Sequence, residues 1–408
     1  MKAIVYDFTI PKYLAAKALG KHFPSMYYGK PSALSLKNVE EPKLPNESWV
    51  KVKPVLSGVC GSDIGAIFYK TSPSLTPFNS FPSVLGHELV GVVTEVGGNV
   101  KKVEVGQRIT VDPYINCEVR ERKNLCPACR QGMHCLCRYK AGSDKFGPGM
   151  ILGFCKDFPG GWGESLVIHE SMAIPISDTV SNTVAAMSEP LSVGLHAVLR
   201  QPPKRGQHVL VIGGGMIAYA VIAAIRLLEI DCHVTQLSLL PYQKEMGIKM
   251  GVNEGLISRK DLEDTILNMP ETSKQKPLLG RDVFIGGFDS IYDCIGSKES
   301  LGDSLIMARE RGKVTLVGCA GEIKSLDWSF VWANELSILG THAYSKKEYW
   351  QGETISTQEL LLDLIQQHQD YPLEQLVTHE YSLQQYREAI VANVDRANYR
   401  SIKTLFHI

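Results

Sequence analysis

The 408-residue sequence lacks a surplus of either charge: lysine plus arginine number 43 and aspartate plus glutamate also 43. That balance excludes a general attraction to nucleic acid or to acidic membranes. The opening MKAIVYDFTIPKYL reads as a short alternating strand and lacks the long apolar centre of a secretion signal. A continuous membrane span is missing too. The nearest approach, Val209 to Ile225, carries no charge, but three consecutive glycines interrupt it and Arg226 ends it, as in a buried strand followed by a buried helix. Without export signals the ten cysteines point to a reducing compartment and a cytoplasmic protein rather than to a disulfide framework. The length exceeds one ordinary core, so two domains are expected.

What the chain does contain centres on Gly86-His87-Glu88, an imidazole and a carboxylate side by side between apolar runs. Buried charge needs a partner, and a metal ion would supply one. The surrounding residues read as an all-β frame. Ala3–Tyr6, Leu34–Leu36 and Trp49–Val55 are strand-like, Val90–Gly97 alternates, and Val105–Val111 returns as another strand. Between the first two lies Tyr13 to Gly29, a weakly helical, partly basic stretch read as a surface excursion. Cys60 ends a strand, with Gly61 allowing a tight turn, while Glu189 falls in a helical pattern from Thr183 to Leu199 that Pro190 should break.

Five cysteines crowd between Cys117 and Cys137. Cys126 and Cys129 form a C-x2-C pair, which can bring two thiolates onto one ion. Four thiolates around a tetrahedral zinc make a closed, structural site. Five residues compete for four places, and Cys135 and Cys137 stand one residue apart.

After Pro202–Gly206 the composition changes. His208–Ile212 is a buried strand, Gly213-Gly214-Gly215 a tight turn, Tyr219–Leu228 a helix and Cys232–Gln236 a second strand. A strand, glycine turn, helix and strand in this order form a dinucleotide-binding unit, with glycines that admit the pyrophosphate and a helix N-terminus that receives it. Further alternation through Ser290–Gly296, Lys313–Gly318 and Leu336–Gly340 implies a parallel sheet.

These residues together resemble the zinc-dependent medium-chain dehydrogenases, the group that contains alcohol, polyol and threonine dehydrogenases. The likeness runs over nearly the whole length. The resemblance implies an α/β protein with a β-rich GroES-like catalytic domain (1–190 and 345–408) and an inserted Rossmann domain with a doubly wound parallel sheet (191–344). It implies a catalytic zinc on Cys60 and His87, with Glu88 as third or exchangeable ligand and Glu189 as a further candidate, and Ser62 as the hydroxyl that carries the alcohol proton away. A structural zinc falls to Cys117, Cys126, Cys129 and Cys137, with Cys135 as the alternative. NAD or NADP falls to Gly213, Gly214, Gly215, Met216, Ile217, Gln236 and Val317. A homodimer or homotetramer acting on a small alcohol or its carbonyl counterpart, most simply a secondary alcohol and its ketone, is the expected form, with no nucleic-acid or membrane partner.

Four departures from the family pattern stand out. Gly65 replaces a histidine common two residues after Asp63, and six extra residues, Glu118–Lys123, separate the first two lobe cysteines. Gln236 stands where an acid would bind the ribose of NAD and repel the phosphate of NADP; no arginine follows closely, which leaves a slight lean towards NAD. Ala343 replaces an arginine of polyol dehydrogenases, which argues against a polyol substrate. The altered relay and Gln236 also motivate an alternative, a nucleotide-binding sensor or partner protein that keeps the fold and has lost turnover.

Overall fold

Short strands separated by proline and glycine turns build the first of two units in the computed structural model, which describes residues 1–408. This unit comprises Met1–Glu189, Ser345–Gln366 and Val377–Ile408. Its axis is the strand Trp49–Gly58. It pairs antiparallel with Leu89–Val96 and also with Leu166–His169 near its start and Lys403–His407 near its end. Arg108–Val111 and Ala173–Pro175 extend the sheet beyond Leu89–Val96, and Val377–Ser382 lies parallel to Lys403–His407. A second, three-stranded sheet orders Leu34–Asn38, Lys2–Tyr6 and Ser83–Val84.

Alternation puts one side of these strands into two apolar clusters. One gathers Trp49, Val50, Val52, Val93 and Phe158, where Trp49 stacks on Phe158 at 5.5 Å between ring centres. The other joins Ile4, Tyr6, Leu85 and Trp162 to Phe406 near the C-terminus.

The second unit holds Pro190–Tyr344 and Gln367–Leu376. Its six parallel strands run in the order Glu254–Leu256, His233–Leu237, His208–Ile212, Phe288–Asp293, Ala308–Leu316, Ser337–Gly340. Sequence order therefore reverses beside His208–Ile212. That is the switch point at which a doubly wound sheet opens a crevice for a dinucleotide. The short segment Gln367–Leu376 joins this unit, where the Tyr371 hydroxyl donates to the Met250 carbonyl at 2.7 Å.

Two local readings change. The helix expected from Thr183 to Leu199 divides at Met187 into Asn182–Ala186 and Ser188–Arg200, so Pro190 sits in the first turn of the second helix. Proline needs no intrahelical donor there and opens the helix instead of kinking it. The stretch after Tyr6 forms a ten-residue helix, Ile10–Leu19, capped by the Thr9 hydroxyl, and a short turn of helix, Ser25–Tyr28. No helix of the chain is long and apolar enough to cross a membrane.

Gly86 shows how tightly the frame holds His87. Its φ is +93°, and a Cβ there would come within 2.3 Å of Trp162 Cδ1. Gly86→Ala is expected to cost about 1–3 kcal/mol through strain and overpacking together, read as a lowered denaturant midpoint. An unchanged midpoint would show that the turn relaxes freely.

Candidate metal centres and nucleotide-binding turn

Cys60 is the N-cap of the helix Gly61–Ile67, in the first bend after the strand Trp49–Gly58, and His87 and Glu88 lie just before the strand Leu89–Val96. Because these strands are antiparallel partners, Ser57 opposite Leu89, the two loop ends are neighbours. One ligand atom from each of Cys60, His87 and Glu88 lies within 4.8 Å of the others. Thiol, imidazole and carboxylate suit zinc, and three protein ligands leave a position open.

Asp63 orients this set. One carboxylate oxygen accepts the Cys60 backbone N–H at 2.9 Å, and the other lies 3.5 Å from His87 Nδ1. Neither that oxygen nor Nδ1 has a hydrogen-bond partner, and both are buried. With Asp63 beside Nδ1, Nε2 is the nitrogen left to meet a metal. Burial alone would push the His87 imidazole towards neutrality, but Asp63 and the Cys60 sulfur outweigh it and raise its pKa well above the ordinary value. The Ser62 hydroxyl stands 3.3 Å from Nε2.

Glu88 is held by a residue that the motifs do not reveal. Lys403, from the C-terminal strand, forms a fully buried ion pair with the Glu88 carboxylate and donates to the Val59 carbonyl at 3.2 Å. Gly58 makes room for the pair, since a Cβ there would fall 2.1 Å from the Glu88 oxygen. Glu189 lies outside the converging trio, in the first turn of the helix Ser188–Arg200. It too is buried. Burial holds its carboxyl up at about 8, with Glu88 adding to the rise and His87 and Lys403 opposing it.

The second constellation is the cysteine lobe. Cys117, Cys126, Cys129 and Cys137 bring their sulfurs within 4.8 Å of one another, while Cys135 turns away to lie 3.5 Å from His134 Nε2. Hydrogen bonds from Cys129 and its neighbours lower the Cys137 thiol to about 5, so the cluster readily supplies a thiolate. The extra residues after Cys117 anchor the lobe. Arg120 is buried and donates to the carbonyls of Gly147 at 3.1 Å and Gly149 at 2.7 Å. Glu121, at a left-handed φ of 51°, accepts from Trp49 Nε1 at 3.0 Å and pairs with Lys145 at 2.5 Å. Burial would raise its carboxyl, yet Lys145, Trp49 and Asn46 hold it down at about 2.

In the second unit, Gly213 has a φ of +139° and Gly215 caps the helix Met216–Leu227, so the turn presents backbone to a pyrophosphate beside the half-buried Met216 and Ile217. Gln236 is fully buried, and its Nε2 donates to the Gly213 carbonyl at 2.9 Å. One of its two amide hydrogens is held by the turn, and its Oε1 is buried without a hydrogen-bond partner. Val317 donates its backbone N–H to Asp293 at 2.9 Å at the end of the neighbouring strand.

Comparison with known proteins gives two family models, the alcohol dehydrogenase GroES-like domain over residues 46–178 and the zinc-binding dehydrogenase over residues 217–357. L-Idonate 5-dehydrogenase of Vitis vinifera is 28% identical over 372 residues, 88% of each chain. Two solved structures share the fold. One is 2R,3R-butanediol dehydrogenase of Bacillus subtilis, with a TM-score of 0.72, 20% identity and coverage of 100% of this chain and 99% of that one. The other is a protein of Sinorhizobium meliloti 1021 described as a zinc-binding dehydrogenase, solved with NADP, with a TM-score of 0.74, 22% identity and coverage of 100% and 99%. The first model includes Cys60, His87, Glu88 and the cysteine lobe, the turn Gly213–Gly215 falls just before the second, and the chain belongs to the zinc-dependent medium-chain dehydrogenase family of alcohol and carbonyl oxidoreductases that use a nicotinamide cofactor.

Proposed function

We propose that the protein interconverts a secondary alcohol and its ketone, with Cys60 and His87 as permanent ligands of a catalytic zinc and Ser62 as the first proton acceptor. The observation that carries this is the convergence of Cys60, His87 and Glu88 with the Ser62 hydroxyl 3.3 Å from His87 Nε2. A zinc ion bound there would polarise an alcohol oxygen and lower its pKa, and a nicotinamide would take up the hydride. Asp63 fixes the imidazole so that Nε2 faces the ion. Ser62 receives the substrate proton. No imidazole stands next in line at Gly65, where a Cβ would meet nothing nearer than Thr71 Oγ1 at 3.6 Å, so water carries the proton onward from Ser62.

Glu88 is an exchangeable ligand whose resting partner is Lys403. The pair leaves the inner shell open for substrate while keeping a carboxylate in reach, and Glu189 is its reserve. The cysteine lobe takes a structural zinc on Cys117, Cys126, Cys129 and Cys137, with Cys135 outside it. Gly213–Gly215, Met216 and Ile217 hold the dinucleotide pyrophosphate, with Gln236 and Val317 at its flanks. With neither an acid at Gln236 nor an arginine in Leu237–Gln243, the preference for NAD over NADP is small. The edge strand Ser337–Gly340 pairs on one side only, and exposed Ile338 lies on it, which suits pairing with a second copy in a homodimer. A reducing, cytoplasmic setting keeps the lobe thiols available to metal.

Cys60→Ser and His87→Ala are each expected to abolish alcohol oxidation while NADH binding, followed by the fluorescence of its reduced nicotinamide, persists; full turnover in either would sink the assignment. Elemental analysis should find about two zinc ions per chain, falling to about one in Cys137→Ser and staying at about two in Cys135→Ser. Lys403→Met leaves the Glu88 carboxylate buried and unpaired, at a cost of about 3–5 kcal/mol in chelator-treated protein, and the double variant with Glu88→Gln should recover part of it. Equal denaturant midpoints for wild type and Lys403→Met would show that the pair does not hold the strand ends.

A further inference from the structure

The helix Ile10–Leu19 and its flanks, inserted between the first two strands, do not sit idle on the surface. Aromatic rings run in unbroken contact from His87 to this insert. The His87 ring lies 5.9 Å from Phe154, Phe154 lies 6.3 Å from Phe81, and Phe81 lies 6.3 Å from Phe8. Phe8 then meets Tyr69 at 5.9 Å and Tyr13 at 6.1 Å, and Tyr13 meets Tyr69 edge-on at 5.1 Å. Phe8 is 37% exposed, and Phe81, Tyr13 and Tyr69 are only half-buried, so the outer rings keep open surface.

Tyr69 lies two residues past the helix whose N-terminus carries Cys60, Ser62 and Asp63. It stands at a φ of +53°, a left-handed conformation that a bulky aromatic residue rarely adopts. The insert holds it there. Lys17 donates to the Tyr69 carbonyl at 3.2 Å, and the Tyr6 hydroxyl donates to the Ala66 carbonyl at 2.8 Å, which ties the same helix to the first strand. Strain kept in place by neighbouring contacts gathers at functional sites. Gly65, one turn on from Ser62, leaves open space on that helix.

Two of the cations beside the wall are held by partners within it. Lys12 pairs with Asp7 at 3.3 Å, and Lys17 is directed to the Tyr69 carbonyl. Phe8, Phe81 and Phe154 offer aromatic faces with no polar atom, and with the ring faces of Tyr13 and Tyr69 they receive an apolar ring better than a chain of hydroxyls, most of whose hydrogen-bonding groups would go unmatched.

We propose that Phe8, Tyr13 and Tyr69 extend the substrate site outward from His87, and that the substrate is a secondary alcohol, or its ketone, bearing an aromatic or similarly bulky apolar substituent. This rests on the alcohol dehydrogenase reading given above. Phe8, Tyr13 and Tyr69 determine specificity through contact with that substituent, and Lys17 is a positioning residue for Tyr69.

The test compares 1-phenylethanol with 2-propanol as substrates of the holoenzyme. Wild type is expected to show the higher kcat/KM with 1-phenylethanol. The double variant Phe8→Ala/Tyr13→Ala should lower the ratio of the two kcat/KM values about tenfold, the size expected from losing two aromatic contacts. Leu14→Ser, on an exposed position of the same helix, should leave that ratio where it was. A second readout is saturation transfer from the protein to acetophenone without nicotinamide, present in wild type and lost in the double variant. If the double variant fails to fold, Phe8→Leu alone serves and should lower the ratio in the same direction. A ratio that stays the same, or acetophenone binding that survives in the variant, overturns the aromatic wall and leaves the dehydrogenase reading standing. A holoenzyme that oxidises neither alcohol while acetophenone binding is still lost in the variant overturns the dehydrogenase reading instead. Failure of both turnover and binding in wild type overturns both.

Discussion

The buried ion pair between Glu88 and Lys403 is the constraint on which the catalytic unit depends. Two charges withdrawn from water are tolerable only if they satisfy one another. That requirement draws the last strand, Lys403–His407, against the end of Trp49–Gly58 and against the loop that carries His87. The residue closing the ring is 315 positions from its partner. Gly58 has no side chain because the pair occupies the space where one would be. The same strand end delivers Cys60, so the ion pair, the thiol and the imidazole are three consequences of one junction between strands.

Around that junction the chain sets fixed supports beside buried titratable groups. Asp63 accepts from the Cys60 backbone and lies beside His87 Nδ1, so it steadies the thiol and the imidazole from outside the Cys60, His87 and Glu88 cluster. Glu88 and Glu189 share one buried, negative neighbourhood in which Lys403 is the counter-ion, and burial keeps the Glu189 carboxyl near 8. The cysteine lobe is anchored independently. Arg120 and Glu121 bond it to backbone and to Trp49, a residue of the sheet core, so its position does not rest on a metal alone.

Much of this was legible from residue order, and the reasons differ from place to place. The C-x2-C pair and the glycine triplet are short-range devices whose geometry is set within a few residues, so spacing reveals them. The strands around His87 show in their alternation, since one face meets a core and the other does not. Pro190 was legible as a helix boundary but not as the start of the second helix, because a proline disfavours the preceding turn and favours the following one with the same ring. The role of the inserted Glu118–Lys123 is not legible in residue order, because the sequence cannot show that Arg120 finds three carbonyls to bond. The order of residues places Gln236 where ribose would bind, but cannot show that the side chain is buried with one amide hydrogen on the Gly213 carbonyl.

The sequence by itself determined the chemistry available: a thiol, an imidazole and a carboxylate at strand ends, four clustered thiols, a glycine turn before a helix, and the alternation that implies a β-rich domain beside a doubly wound one. Those properties are local, written in spacing and in the period of apolar residues. Only the tertiary structure decided which groups meet. It set Lys403 against Glu88, Asp63 behind His87 and Cys135 away from the other sulfurs, and it ran a line of aromatic rings from His87 to the N-terminal insert. Such pairings depend on where distant strands cross, and the free energy of that crossing belongs to the packed core and not to any stretch of the chain.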